Sequence, residues 1–152
     1  MIFRDAEFND CEWILNCRND DETRSQSFSS HQITLEEHEN WFSKSLSMDS
    51  RKILIVEIHD ERVCMVRLDE ISATEAEISI NIAPQYRGRG LGSVIVRESS
   101  RQALLWKSGL LVITAFVKQS NKASLKCFAN AGYEQINRNH DTIKLELGLH
   151  LT

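Results

Sequence analysis

The most constraining feature of this chain is the octapeptide Gln85-Tyr86-Arg87-Gly88-Arg89-Gly90-Leu91-Gly92, which holds three of the six glycines in 152 residues. It follows the single proline, Pro84, and precedes a run with helical spacing. A proline cannot donate to a sheet ladder, so it closes the strand before it. Glycines accept the positive φ that a tight loop needs. The order that follows is strand, tight loop, helix. A helix start behind such a loop leaves several N–H groups unpaired and carries a partial positive charge. The segment therefore reads as a pyrophosphate cradle, with Arg87 and Arg89 adding charge-assisted hydrogen bonds. Two other phosphate loops do not fit. Gly92-Ser93-Val94 lacks the lysine of a nucleotide P-loop, and the third glycine comes too early for the dinucleotide fingerprint.

The rest of the chain predicts a mixed sheet around this loop. Ile2-Phe3-Arg4 reads as a short strand, and Asp5 as the cap of a helix to about Arg18 with Phe8, Cys11 and Leu15 on one face. Asn19 to Gln32 is polar, lacks a period and reads as a loop. Thr34-Leu35-Glu36-Glu37 is a capping box opening a helix with Leu35, His38, Phe42 and Leu46 inward. Ile53 to Val56, Val63 to Leu68 and Glu77 to Ile82 read as three antiparallel strands, the first two joined by a turn at Asp60-Glu61-Arg62. In the third, Ile78, Ile80 and Ile82 share one face and Glu77, Ser79 and Asn81 the other. A helix runs from about Gly90 to Lys107, closed by Gly109. A strand follows from Leu110 to Val117. A helix capped by Asn121 carries Leu125 and Phe128 and stops at Gly132, and two closing strands lie at Tyr133 to Ile136 and Thr142 to Leu147. The expected fold is α/β, a mixed α+β arrangement of about seven mostly antiparallel strands and about four helices in one domain spanning residues 1–152.

Composition excludes some functions. With 18 Lys and Arg against 22 Asp and Glu, the chain has no cationic excess to displace counterions, so nucleic acid is not an expected partner. No apolar run is long enough to span a bilayer, and the start lacks an apolar signal core. The four cysteines, Cys11, Cys17, Cys64 and Cys127, form no C-x-x-C pair and no zinc pattern. Reduced thiols, no metal and a cytoplasmic location are expected.

Gln85-x-x-Gly88-x-Gly90 resembles the Gln/Arg-x-x-Gly-x-Gly/Ala signature of the GNAT superfamily of acyl-CoA N-acyltransferases. Asn121, Ser124, Phe128, Gly132 and Tyr133 are similar to that superfamily's Asn…Tyr…Gly-Phe segment after its fifth strand. The resemblance implies acetyl-CoA as co-substrate and a sheet in which the strand ending at Ile82 splays from the one starting at Leu110. The pantetheine arm would pair with backbone near Ile80, Asn81 and Ile82. Amides from Arg87 to Ser93 would hold the pyrophosphate. The implied cofactor-binding set is Ile80, Ile82, Gln85, Arg87, Gly88, Arg89, Gly90, Leu91, Gly92, Ser93, Asn121 and Ser124. A backbone N–H near Ile82 would polarise the thioester carbonyl. The acceptor amine must lose a proton before it attacks, so a base or water chain is expected, with no covalent enzyme intermediate.

Glu77, on the polar side of that strand, is the leading base, because some superfamily members use a glutamate there. Asn81 is the residue expected to orient a water, and His31 and His38 are rivals. Phe128 stands where many members have a tyrosine acid. Either the thiolate leaves unaided or another residue serves; Tyr133 is the nearest candidate, beside a packing role.

The acceptor, a small-molecule amine, is expected to meet the N-terminal half. There Arg18-Asn19, Arg24, Ser27 and Glu37-His38…Trp41-Phe42 are similar to acetyltransferases of amino-sugar nucleotides, as in pseudaminic-acid pathways. Arg18 and Arg24 suit a nucleotide pyrophosphate, and Phe28 or Trp41 suits stacking on a base or sugar. The expected acceptor set is Arg18, Asn19, Arg24, Phe28, His38 and Trp41. A protein N-terminus as acceptor and a non-catalytic CoA-binding domain are the alternatives, and a homodimer is compatible with either.

Overall fold

The structure is a computed structural model that describes residues 1–28 and 31–149. Seven strands form one sheet: β1 (Ile2–Asp5), β2 (Arg51–Ile58), β3 (Glu61–Glu70), β4 (Glu75–Ile82), β5 (Val112–Lys118), β6 (Glu134–Arg138) and β7 (Thr142–Gly148). Their order is β1-β2-β3-β4-β5-β7-β6. β1 with β2, β5 with β7, and β6 with β7 are antiparallel, while β4 and β5 are parallel. Five helices accompany them: α1 (Cys11–Arg18), α2 (Asp21–Gln26), α3 (Leu35–Ser47), α4 (Gly92–Trp106) and α5 (Lys122–Asn130). None among the described residues is long and apolar enough to cross a membrane.

The chain divides into two compact units, each drawing on two stretches. Met1–Arg67 with Ile80–Arg87 make the first. Its core gathers Cys11, Ile14, Phe42, Ile53, Ile55 and Met65, with Trp13 and Trp41 packed against it. Several expectations need correction here. Asp5 is not a helix cap: it is paired with Leu54 in β1, and α1 starts only at Cys11. The buried residues of α1 are Cys11, Ile14 and Cys17, while Phe8 is exposed. The anchor at this turn is Asp10. Arg4, Arg62 and the Glu7 N–H all donate to its buried carboxylate. Burial pushes that carboxyl up, but these donors outweigh it and hold it at about 2.

Within Asn19 to Gln32, α2 forms where a loop was expected. Its cap, Asp20, accepts from the Thr23 N–H. In α3 the Thr34 cap is present, but His38, Phe42 and Ser45 are buried while Leu35 and Leu46 are exposed. The β2–β3 turn falls at His59 (φ 51°) and Asp60 (φ 64°), so Glu61 and Arg62 already lie in β3. Two left-handed residues in succession match the right-handed twist of a hairpin.

Leu68–Ser79 with Gly88–Thr152 make the second unit. α4 buries Ile95, Val96, Ser99, Ser100 and Ala103, and β5 buries Ile113, Ala115 and Val117. Phe128 of α5 and Tyr133 meet edge to face, with ring centroids 5.0 Å apart. Gly132 ends α5 at φ 97°, as expected. Gly109 does not close α4 through a left-handed cap. Its added Cβ would lie 3.4 Å from the Ala73 carbonyl, so its smallness serves a close backbone approach.

Candidate active site

The glycine loop is built as its chemistry requires. Gly88 and Gly90 adopt φ of 74° and 77°, and a Cβ on either would meet nothing within 4 Å. These glycines are needed for backbone conformation, since space alone would admit a side chain. α4 begins at Gly92 behind Leu91, which cannot cap it. By contrast, Asp20, Thr34 and Asn121 each accept an N–H at the start of α2, α3 and α5. α4 therefore opens without a side-chain cap behind two exposed, left-handed glycines, an arrangement that suits a pyrophosphate. Ser93 lies in its first turn and accepts from Asn130 Nδ2 at 3.2 Å. Gln85 is exposed in the 3-10 turn Pro84–Tyr86, and Arg89 is exposed in the loop.

Arg87 departs from expectation. Its side chain turns from the loop to the start of α2. Nη1 donates to Asp20 at 2.8 Å and Glu22 at 3.0 Å, and Nη2 donates to Thr23 Oγ1 at 2.7 Å. Nε donates to the Ile82 carbonyl at 3.0 Å. Its backbone N–H is bonded to the Pro84 carbonyl within the 3-10 turn. The hydrogen bonds of Arg87 thus run to carboxylates, a hydroxyl and carbonyls, where the resemblance implies a phosphate.

The parallel ladder joins Glu75 to Val112, Ala76 to Ile113 and Glu77 to Thr114. It ends there, although β4 runs on to Ile82 and β5 to Lys118. Ala76 and Ile78 are buried, while Ile80 and Ile82 are only half-buried, so the expected Ile78-Ile80-Ile82 face loses burial toward the strand's end. Glu77 stands half-buried at the last rung. Asn81 Oδ1 accepts from Thr23 Oγ1 at 3.4 Å. Asn121 Oδ1 accepts the Ser124 N–H at 3.2 Å, tying both expected cofactor residues into one cap.

Tyr133 is a core residue. Its hydroxyl lies 2.8 Å from Ser100 Oγ, and Ser100 donates its own proton to the Val96 carbonyl. The Tyr133 proton must therefore point at Ser100. Burial pushes this phenol up, well above its usual range. This places Tyr133 in the packing role that the sequence also allowed, with its hydroxyl in a buried hydrogen-bond chain.

On the expected acceptor side, Arg18 lies over the Trp41 ring at 4.1 Å, with Arg51 at 5.8 Å from the same ring. Arg18 Nη1 meets His38 Nδ1 at 3.0 Å. His38 Nε2 lies 2.7 Å from the Cys11 carbonyl, so it carries the proton and Nδ1 accepts from Arg18. Both nitrogens of His38 are engaged and the ring is fully buried, so it supports Arg18 from behind. Burial lowers its pKa, which keeps it neutral. Burial also pushes the Arg18 guanidinium down to about 10, helped by Arg67 and Arg51. Among the described residues no carboxylate pairs with Arg18.

Asn19 is also corrected. Its amide donates to the Ile33 carbonyl and accepts the Ile33 N–H, both at 2.7 Å, so it clamps the loop instead of facing a ligand. Arg24 pairs with Asp21 at 2.8 Å, while its Nε is buried without a partner. Phe28 is 64% exposed, and His31 lies 3.8 Å from Glu37.

The profile of the family described as acetyltransferase (GNAT) domain matches residues 1–134. The chain belongs to this family. Acetyl-CoA is thus the acyl donor of this N-acetyltransferase. It is 28% identical over 142 residues to a Bacillus subtilis (strain 168) protein provisionally named phosphinothricin acetyltransferase YwnH, covering 89% of this chain and 85% of that one. The Vibrio cholerae spermidine N-acetyltransferase, solved with CoA and spermine, superposes with a TM-score of 0.88 at 20% identity, covering 97% of this chain and 94% of that chain. A solved protein provisionally described as a phosphinothricin N-acetyltransferase gives 0.84 at 24% identity, over 99% of each chain. These likenesses extend the GNAT fold through the last strands.

Sequence reasoning missed three residues in this acetyltransferase: Asp20 and Thr23, which receive Arg87, and Arg51, which joins Arg18 at Trp41. A signal for the first two existed. Asp20 followed by Asp21-Glu22 is an N-cap before an acidic first turn. Nothing local marks Arg51, which lies at the start of β2.

Proposed function

We propose that this acetyltransferase acetylates the primary amine of a small acceptor that also carries an anionic group, with an amino-sugar nucleotide as the acceptor class. The observation that carries this reading is Arg18. A half-buried guanidinium stacked on Trp41, supported by a neutral histidine and paired with no carboxylate among the described residues, is costly unless an anion completes it. A phosphate or carboxylate does so with the fork geometry that arginine matches. A polyamine offers no such group.

The donor supplies a thioester whose carbonyl carbon is open to attack. The α4 N–H groups and Gly88 to Gly90 would hold its pyrophosphate, and the backbone of Ile80 to Ile82 its pantetheine arm. The amine nitrogen attacks the carbonyl carbon, the C–N bond forms and the C–S bond breaks. The amine proton passes to a base, for which Glu77 at the last rung of the β4–β5 ladder is the candidate, through a water that Asn81 would orient. Tyr133 is not part of this scheme; the thiolate departs without a dedicated acid. The four free cysteines suit a reducing cytoplasm.

Thiol release from acetyl-CoA is measured with UDP-linked 4-amino sugars, with spermidine and with a short peptide. Turnover of the amino-sugar nucleotides, with Arg18→Gln raising their KM about tenfold and leaving the KM for acetyl-CoA unchanged, is expected. Turnover of spermidine alone would overturn the anionic acceptor.

A further inference from the structure

α2 is a helix that does not hold itself in place. It has 6 residues and buries none of them. A helix this short is marginal in water, so its position depends on contacts made by its ends. Those contacts are polar. Asp20 caps it, and Arg87 binds Asp20, Glu22 and Thr23 together. Arg87 is itself fixed by the Ile82 carbonyl at the end of β4, and Thr23 reaches Asn81 of the same strand. One guanidinium thereby gathers three residues of the α2 start onto the end of β4.

The same helix presents unsatisfied polar atoms. Arg24 Nε and Gln26 Oε1 are buried and have no partner among the described residues. Buried polar groups are nearly always hydrogen-bonded, and two orphans on a single short helix point to a ligand that completes them. One is a donor and the other an acceptor, which suits a polyhydroxylated or nucleotide acceptor better than an aliphatic amine.

We infer that Arg87 is a positioning residue for the acceptor: it sets α2 so that Arg24 and Gln26 meet the acceptor, and it takes no part in holding the donor's pyrophosphate. This rests on the reading above that the segment from Arg18 to Phe28 serves the acceptor. Lysine cannot replace Arg87, because a single ammonium cannot span carboxylates, a hydroxyl and a carbonyl in one planar fork.

The test separates donor from acceptor. Arg87→Met and Arg87→Lys are assayed by calorimetry with CoA and by steady-state kinetics with a UDP-linked 4-amino sugar. Acceptor KM is expected to rise about tenfold in both variants, with the dissociation constant for CoA changed by less than about threefold. A general loss of structure would not split the two substrates in this way. Tenfold weaker CoA binding with acceptor KM unchanged would make Arg87 a phosphate ligand and overturn the inference, as would no change in either. Should Arg87→Met fail to fold, Asp20→Asn removes the same ion pair from the other side and carries the same expected split.

If wild-type protein turns over none of the amines, the acceptor reading has failed, and the positioning role is read separately. Hydrogen exchange at the amides of Asp21–Gln26 is expected to be faster in Arg87→Met than in wild type with CoA bound, while α3 stays protected. Unchanged exchange at α2 would overturn it.

Discussion

α2 and α4 both begin with backbone N–H groups that no carbonyl of their own helix can accept. At α2 the answer is internal. Asp20 accepts the Thr23 N–H, and Arg87 closes over the carboxylates of Asp20 and Glu22. At α4 Leu91 offers nothing, and the two residues of positive φ before it leave the donors open. The same local feature is therefore closed by side chains in one place and left without a side-chain cap in the other. What separates them is the side chain one residue before the helix, and whether the preceding loop can hold left-handed backbone. A positively charged helix start becomes a site for an anion only when the chain declines to satisfy it.

The comparison can be broken most severely at α4. Replacing both Gly88 and Gly90 by alanine forces two ordinary residues into left-handed backbone, at about 1–2 kcal/mol each. CoA affinity measured by calorimetry is expected to fall roughly a hundredfold if that strain displaces the loop. Lost thermal stability with CoA binding intact would mean that the loop does not hold the donor. Asp20→Ala attacks the other side. It removes a cap and the main partner of Arg87, and about 1–2 kcal/mol of stability should go with it, read as a lower Tm with CoA affinity unchanged.

Asn121→Ala sharpens the contrast, because Asn121 caps α5 and was also expected to touch the donor. A loss of about 1 kcal/mol in thermal unfolding with unaltered CoA binding would make it purely a cap. A matching loss of CoA affinity would give it both roles. The smallest effect concerns His38. Burial depresses its pKa below the ordinary value of about 6.5, so the unfolded chain takes up the proton first as pH falls. The contribution is fully present above that ordinary value and is lost on acidification, by less than about 1 kcal/mol between pH 7 and 6. His38→Gln should flatten that part of the Tm profile, and an unchanged slope would assign the pH dependence to other groups.

β4 was legible because burial on a pleated surface leaves a period of two, seen over Glu75 to Ile78, and β5 because it is a short buried apolar run. The caps at Thr34 and Asn121 were legible because they act within three residues. α2 was not, since a helix that buries nothing has no apolar period to detect. Spacing alone puts Leu35, His38, Phe42 and Leu46 on one face of α3; His38 and Phe42 are buried, but Ser45 joins them in place of the exposed Leu35 and Leu46.

The site divides along the same line. Gly88, Gly90 and the start of α4 could be read directly, because a left-handed loop before an uncapped helix is a property of consecutive residues. Arg87 could not, as its fate depends on Asp20 and Thr23, more than sixty positions away in the chain. Tyr133 and His38 likewise take their partners, Ser100 and the Cys11 carbonyl, from other elements of the chain. The sequence alone identifies the family, the acyl donor and a left-handed glycine loop before an uncapped helix, because backbone conformation and helix ends are local. Only the tertiary structure decided what each charged or titratable side chain does, because a guanidinium or an imidazole takes its role from the groups that folding brings within about 3 Å of it.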